Sequence, residues 1–337
     1  MMTRQPTLLT IILNYRTPEL CLRAAAAALR EMAGIPGQIT LVDNASGDGS
    51  FQTMQHHVSE RGWDRDGRVQ LLQSGRNGGF GAGNNFGIRA GLINGKTPDL
   101  IYILNSDAFP QAGSIRALVD HLESHPSDGL AGSYIEGEDG VPHSTAFRFP
   151  SLGGEFESAV CTGIFSRLLA NSCVSLPIPE VTQRVDWLAG ASLMIRREVL
   201  DQIGHFDERF FLYFEETDLC HRARAAGWAT AYVRDSVITH IGSVSTGMKD
   251  WRRTPTYWFE SRRTYFTKTH GRTYAALATT AHVSGALIYR ARRVLTGKPR
   301  IDPPYFLRDL IRHSVTGLFR HLPDDRATNP VTNRGLT

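Results

Sequence analysis

The sequence predicts an α/β fold, with a mostly parallel central sheet covered by helices on both faces and a basic helical extension at its C-terminal end. Three observations predict it. Four apolar runs within the first 104 residues alternate with helix-like segments. Each run stops at a polar or glycine-rich stretch, where a parallel strand hands over to its crossover helix. The charge divides sharply: residues 1–250 carry 21 Lys+Arg against 28 Asp+Glu, a net of −7, while residues 251–337 carry 16 against 5, a net of +11.

The elements follow in order. Leu8–Leu13 reads as the first strand, and Thr17-Pro18 starts a helix through the alanine-rich stretch to Met32, because proline suits a first helical turn. Ile39–Val42 is the second strand and leads into Asp43-Asn44-Ala45-Ser46, ordinary turn chemistry. Val69–Leu72 is the third, and Leu100–Leu104 the fourth, closed by Asn105-Ser106-Asp107. Ligands of such sheets bind beyond the carboxyl ends of the strands, where all four polar loops fall. Residues 137–186 are rich in Gly, Pro and Ser and predict loops and short helices over a cleft. Trp187–Ile195 reads as a buried strand entered through a small-residue turn and followed by the helix Arg196–Gly204, and Trp228–Val233 and Val237–His240 read as two short strands. From Trp251 the chain turns aromatic and basic. Tyr305–Leu322 sets Leu307, Leu310, Ile311, Val315, Leu318 and Leu322 on one face, the pattern of an interfacial amphipathic helix or of a core-packing one. The expected division is a catalytic domain over 1–250, a helical extension over 251–322 and a loose tail over 323–337.

Composition excludes several classes. At 337 residues and 41% hydrophobic content the chain is neither disordered nor fibrous. Cys21, Cys161, Cys173 and Cys220 lie far apart with no C-x-x-C pair, which disfavours a structural zinc site and a disulfide framework and reads as reduced, mostly buried thiols. The apolar run at the N-terminus is too short for a signal peptide, and Ala275–Tyr289 is too short and too interrupted to span a bilayer. A cytoplasmic protein is expected, peripheral at the inner face of the plasma membrane if the basic extension meets anionic lipid. A nucleic-acid partner is not expected, since no DNA- or RNA-reading motif accompanies the basic segment.

Candidate chemistry concentrates in Glu215-Glu216-Thr217-Asp218, three carboxylates in a four-residue window that opens a helical run ending at Gly227. Acids suit a helix N-terminus, yet three of them after Phe210–Phe214 point to a general base whose pKa is raised by desolvation. Asp107, at the end of an apolar strand, suits a divalent cation that bridges phosphates, and His240 ends another strand. Asp43 could accept the N3–H of a uracil or thymine base. The run Asn77–Gly87 satisfies no register of the dinucleotide fingerprint, but its glycines permit close backbone approach to a ligand, with Arg76 facing a phosphate.

Taken in order, Ile12–Tyr15, Val42–Ser46, Asn77–Asn85, Leu104–Asp107, Trp187–Ala191, Phe206–Glu208, Glu215–Asp218 and His240 resemble the family 2 inverting glycosyltransferases, and within them the bacterial rhamnosyltransferase-like branch. The resemblance spans roughly residues 8–270. It implies a GT-A fold, a nucleotide-diphosphate sugar donor (dTDP- or UDP-linked, rhamnose foremost), a divalent cation (Mg²⁺ or Mn²⁺) and a saccharide or polyprenyl-linked acceptor in cell-surface polysaccharide synthesis. It implies a nucleotide-sugar site of Tyr15, Asp43, Arg76, Asn77, Asn85, Asn105, Ser106, Trp187 and Gly190, and metal ligands Asp107 and His240. The family's E-D-x-D motif falls on Glu215–Asp218, which makes Glu216 the counterpart of the base, with Glu215 the alternative and Asp218 beside them. Asn105 stands where the full metal motif has its first aspartate, which predicts modest metal affinity. A sugar nucleotidylyltransferase is the rival enzyme; it would need a glycine-rich basic loop after the first strand, where this chain has Asn14–Pro18.

Overall fold

The computed structural model describes residues 5–242, 251–297 and 302–318. Strands β1 (Leu8–Asn14), β2 (Gly37–Asp43), β3 (Val69–Gln73) and β4 (Leu100–Asn105) pair in parallel in the order β3-β2-β1-β4, with α1 (Pro18–Glu31), α2 (Ser50–Glu60) and α3 (Phe80–Ala90) as crossovers. These are the four apolar runs of the sequence, and parallel strands buried on both faces require such runs.

Beyond β4 the chain forms β5 (Ala108–Pro110), α4 (Ser114–Ser124), β6 (Asp128–Glu136), β7 (Pro142–His143), β8 (Ala146–Phe147), α5 (Leu152–Val160), α6 (Gly163–Leu168), β9 (Gln183–Val185) and β10 (Trp187–Leu188). Next come β11 (Ser192–Arg196), α7 (Arg197–Ile203), α8 (Glu215–Ala225) and β12 (Ala229–His240). The sheet continues β4-β11-β6-β12-β5, with β11 antiparallel to both neighbours and β12 parallel to β6.

Two expectations are corrected. The expected small-residue turn lies at Ala189–Ala191 and leads into β11 of the main sheet, but the residues before it form a strand of their own, β10, which pairs with β8 in a separate ribbon. The two short strands expected at 228–240 are one, with a register shift between Val233 and Val237.

The extension forms α9 (Thr256–His270), α10 (Arg272–Thr296) and α11 (Phe306–Leu318). It is docked rather than loose. Glu155 of α5 pairs with Arg262 of α9 at 2.9 Å and His282 of α10 at 2.9 Å, and Lys268 of α9 bridges Asp207 (2.7 Å) and Asp218 (2.6 Å). The apolar stripe of α11 is divided: Leu307 and Leu310 are buried with Phe259, while Ile311 and Val315 remain exposed. Leu322 and the expected tail over 323–337 lie outside the described residues. Among the described residues no helix is long and apolar enough to cross a membrane. Cys21 and Cys220 are buried and Cys161 and Cys173 half-buried, all of them free.

Candidate active site

Parallel strands ending level bring their last residues together, and Asn14 lies in register with Asp43. The Asn14 amide donates to Asp43 Oδ1 (2.9 Å) and Ser46 Oγ (3.2 Å), while the Ser46 hydroxyl and N–H donate to the two Asp43 oxygens (2.5 and 3.2 Å). Asn44 donates to Asn77 Oδ1 (3.0 Å) and to the Gly79 carbonyl (3.2 Å), and the Thr17 and Ser106 hydroxyls meet at 3.2 Å. The loops after β1, β2, β3 and β4 are thus stitched into one hydrogen-bonded rim at the carboxyl edge of the sheet. Tyr15 is half-buried on this rim beneath the Arg16 guanidinium, 5.1 Å from its ring centre.

The same edge carries the candidate metal ligands. β5 starts just after Asp107 and pairs with the end of β12, so that His240 faces Ala108. This puts His240 Nε2 3.1 Å from Asp107 Oδ1 and 3.5 Å from the Asn105 amide, with the Gly242 N–H donating to Asp107 Oδ2 at 3.1 Å. Burial opposes ionisation of Asp107, but the hydrogen bond and charge of His240 and the backbone N–H groups outweigh it and hold the carboxyl below its usual range. Among the described residues no group of three His, Cys, Asp or Glu side chains is placed to hold a metal ion. One carboxylate and one imidazole side by side fit a divalent cation that takes its remaining ligands from a diphosphate and water, not an all-protein cage.

Glu215 and Glu216 open α8, where the helix dipole favours their charge. Tyr213 and Phe214 before them both adopt φ of +70°, consecutive left-handed positions that turn the chain sharply into the helix. Glu215 is sealed, 2% exposed, whereas Glu216 is half-buried, and each keeps one carboxylate oxygen without a hydrogen-bond partner. Burial pushes both carboxyls up; the charge of Glu216 raises Glu215 further, and the N–H groups of Glu216 and Gly190 partly offset the rise at Glu216. A Cβ on Gly190 would stand 3.7 Å from Glu216 Oε1 and 3.2 Å from the Phe80 ring. The next residue, Ala191, accepts the Asn105 N–H through its carbonyl at 3.0 Å. Two consecutive residues therefore link the carboxylate pair to the Asn105–Asp107–His240 edge.

Other expected site residues are occupied elsewhere. Asp218 is held by Arg222 (2.7 Å) and Lys268 (2.6 Å), one cation on each carboxylate oxygen. Asn85 is fully buried, its amide exchanging hydrogen bonds with Phe206 and donating to Glu208, because the second turn of α3 faces that loop. Arg76 pairs with Glu208 at 3.1 Å, and Trp187 stacks on Phe147 (4.2 Å) while donating to the Arg148 carbonyl. The glycines at the start of α3 admit the protein's own atoms: at Gly79, which caps the helix at φ +90°, a Cβ would collide with the Phe211 backbone carbonyl at 1.9 Å, and at Gly83 with the Leu13 side chain at 2.4 Å. Asn14, Ser46 and Lys268 were not among the expected site residues. Asn14 carried a readable signal, a polar residue closing an apolar strand level with Asp43; Lys268 carried none, because its partners lie about fifty or more residues away.

Residues 6–266 match the family described as "Glycosyltransferase like family 2". The chain is 32% identical over 219 residues to the N-acetylglucosaminyl-diphospho-decaprenol L-rhamnosyltransferase of Mycobacterium tuberculosis, covering 63% of this chain and 69% of that one. It is 27% identical over 215 residues to the low-salt glycan biosynthesis hexosyltransferase Agl10 of Haloferax volcanii, covering 64% of this chain and 60% of the relative. The mannosyltransferase PcManGT of Pyrobaculum calidifontis, solved with GDP-Man and Mn²⁺, superposes with a TM-score of 0.57 at 16% identity, over 94% of this chain and 88% of that one.

Proposed function

Since the chain belongs to glycosyltransferase family 2 and has the GT-A fold, we propose that it moves a hexose, rhamnose foremost, from a dTDP- or UDP-sugar to a hydroxyl of a saccharide or polyprenyl-linked acceptor, inverting the anomeric carbon. The observation that carries the reading is the pair Glu215–Glu216, each with one buried carboxylate oxygen that has no hydrogen-bond partner, linked by Gly190–Ala191 to the Asp107–His240 edge. The name of the mycobacterial relative, with its rhamnosyl donor and diphospho-lipid acceptor, supports the choice of sugar and acceptor.

In this reading Glu216, the more accessible carboxylate, accepts the proton of the acceptor hydroxyl as it attacks from the face opposite the leaving diphosphate. Glu215, sealed behind it and favouring its protonated form, leaves the negative charge to Glu216. Asp107 and His240 would hold a divalent cation, which offsets charge on the departing diphosphate. Asp43, held in place by Asn14 and Ser46, keeps acceptor capacity for the N3–H of a pyrimidine. One base suffices, with no covalent intermediate.

Two measurements test the proposal. A panel of nucleotide sugars scored for Mn²⁺- or Mg²⁺-dependent hydrolysis should single out dTDP- or UDP-linked hexoses. Glu216→Gln should lower kcat by roughly 10²–10⁴-fold with little change in donor affinity. Near-normal turnover in that variant would remove Glu216 from the role.

A further inference from the structure

A second charged site lies away from the sheet edge. Arg290 and Arg293 near the end of α10, with Asp302, Tyr305 and Arg308 at the start of α11, enclose a cavity of about 260 Å³. Three guanidiniums face one carboxylate, Asp302, which pairs with Arg290 at 2.9 Å. Arg308 lies over the Tyr305 ring at 4.4 Å and touches Asp309 at 3.4 Å, but Asp309 is already held in a fork by Arg253 at 2.6 and 2.8 Å. Among the described residues no carboxylate lies within ion-pair reach of Arg293. A pocket open to solvent at Tyr305 and Arg308, with a surplus of about two positive charges, all from arginine, suits a doubly charged phosphate group.

The flanking surface indicates what carries that group. Leu287 and Val294 stand three residues before and four after Arg290 on α10, hence on the same helix face, and both are exposed, 56% and 76%. Leu295 beside them is 86% exposed. Apolar side chains left in water around a basic pocket match an amphiphile with an anionic head and a hydrocarbon chain. The pocket also connects to the base. Arg253, which lies 5.7 Å over Tyr305, is two residues from Trp251; Trp251 meets Tyr213 edge-on at 5.9 Å, and Tyr213 is two residues before Glu215.

We propose that this cavity binds the diphosphate of a lipid-linked acceptor, with the lipid chain laid along Leu287 and Val294 and the sugar directed past Trp251 and Tyr257 toward Glu216. The assignment of the bound molecule as acceptor rests on the glycosyltransferase reading.

Calorimetric titration of the full chain, saturated with UDP and Mn²⁺, tests it with three probes: farnesyl diphosphate, inorganic pyrophosphate and phosphatidylglycerol vesicles. Farnesyl diphosphate should bind alongside UDP, and Arg293→Gln should weaken it roughly tenfold or more, the scale of one charge-assisted hydrogen bond. Val294→Gln should weaken farnesyl diphosphate and leave pyrophosphate unaffected. Arg308→Gln gives an independent reading should Arg293→Gln fold poorly. The inference is overturned if farnesyl diphosphate only displaces UDP and both arginine variants bind it normally, or if vesicles bind while neither diphosphate does. Absence of UDP binding together with Arg293-dependent binding of farnesyl diphosphate would remove the donor reading and still support the cavity as a lipid-diphosphate site.

Discussion

Glu215 is the residue whose chemistry departs furthest from an ordinary surface acid. It is buried with an unpartnered oxygen, and burial first, then the charge of Glu216, lift its pKa well above its ordinary 4.5. The folded state therefore binds this proton more tightly than the unfolded chain. Its stabilising contribution is fully present below the unfolded pKa and is lost as pH rises from there through the folded pKa. Glu215→Gln should accordingly match the parent in thermal melting near pH 4 and melt higher at pH 7, by roughly the 1 kcal/mol scale of one buried polar group. A difference independent of pH would show that Glu215 does not titrate across that window. The carboxylate cluster itself was legible because three acids in four residues are unusual. That Lys268 pairs with Asp218 was not, since it reaches it from 50 residues away, and spacing along one helix carries no trace of such a partner.

At the scale of elements, one buried cluster ties α9 and α10 of the extension to α5. Burial opposes ionisation of Glu155, but the charge of Arg262 and the hydrogen bonds of His282 and Arg262 outweigh it and hold its pKa below the ordinary 4.5. The stability it adds is present above the unfolded pKa and disappears as pH falls through the folded one. Glu155→Gln leaves Arg262 buried without its counter-charge and should destabilise α9 and α10 against α5 by about 3–5 kcal/mol, read as faster amide exchange in those helices. Parental exchange rates would rule the cluster out as the clamp. The first four strands were legible because each is an apolar run bounded by polar turn residues. β6 was not: Gly129, Ala131, Gly132 and Ser133 break any alternation and leave Ile135 as its one β-branched residue. The structure explains its glycines, since a Cβ on Gly129 would strike Val199 at 2.6 Å and one on Gly132 would strike Leu188 at 2.8 Å. The small-residue turn at Ala189–Ala191 was legible, but the short strand before it was not, because two residues, Trp187 and Leu188, carry no alternation that would separate them from the run that follows.

Across the whole molecule the charge split noted in the sequence meets a fold in which the acidic part carries the candidate site and the basic part packs beside it through Lys268 and Arg262. Among the described residues Arg262 and Lys268 pair with Glu155, Asp207 and Asp218 of the preceding part, while Arg253, Arg290 and Arg308 pair with Asp302 and Asp309, which the net of +11 over residues 251–337 already counts. Each further cation within reach of an anionic bilayer contributes about 1 kcal/mol, so three of them hold the protein at such a surface by about 3 kcal/mol. That attraction decays over a Debye length of about 10 Å at 0.1 M salt, which separates it from hydrophobic insertion. Cosedimentation should therefore show binding to phosphatidylglycerol vesicles at low salt, release at about 0.5 M salt and little binding to phosphatidylcholine. Equal binding to both lipids, or to neither, would mean that the basic extension serves only the soluble architecture. If inorganic pyrophosphate leaves vesicle binding intact while it competes for the arginine cavity, surface attraction and head-group recognition are separate steps, the first gathering the enzyme at the lipid and the second aligning one acceptor with Glu216.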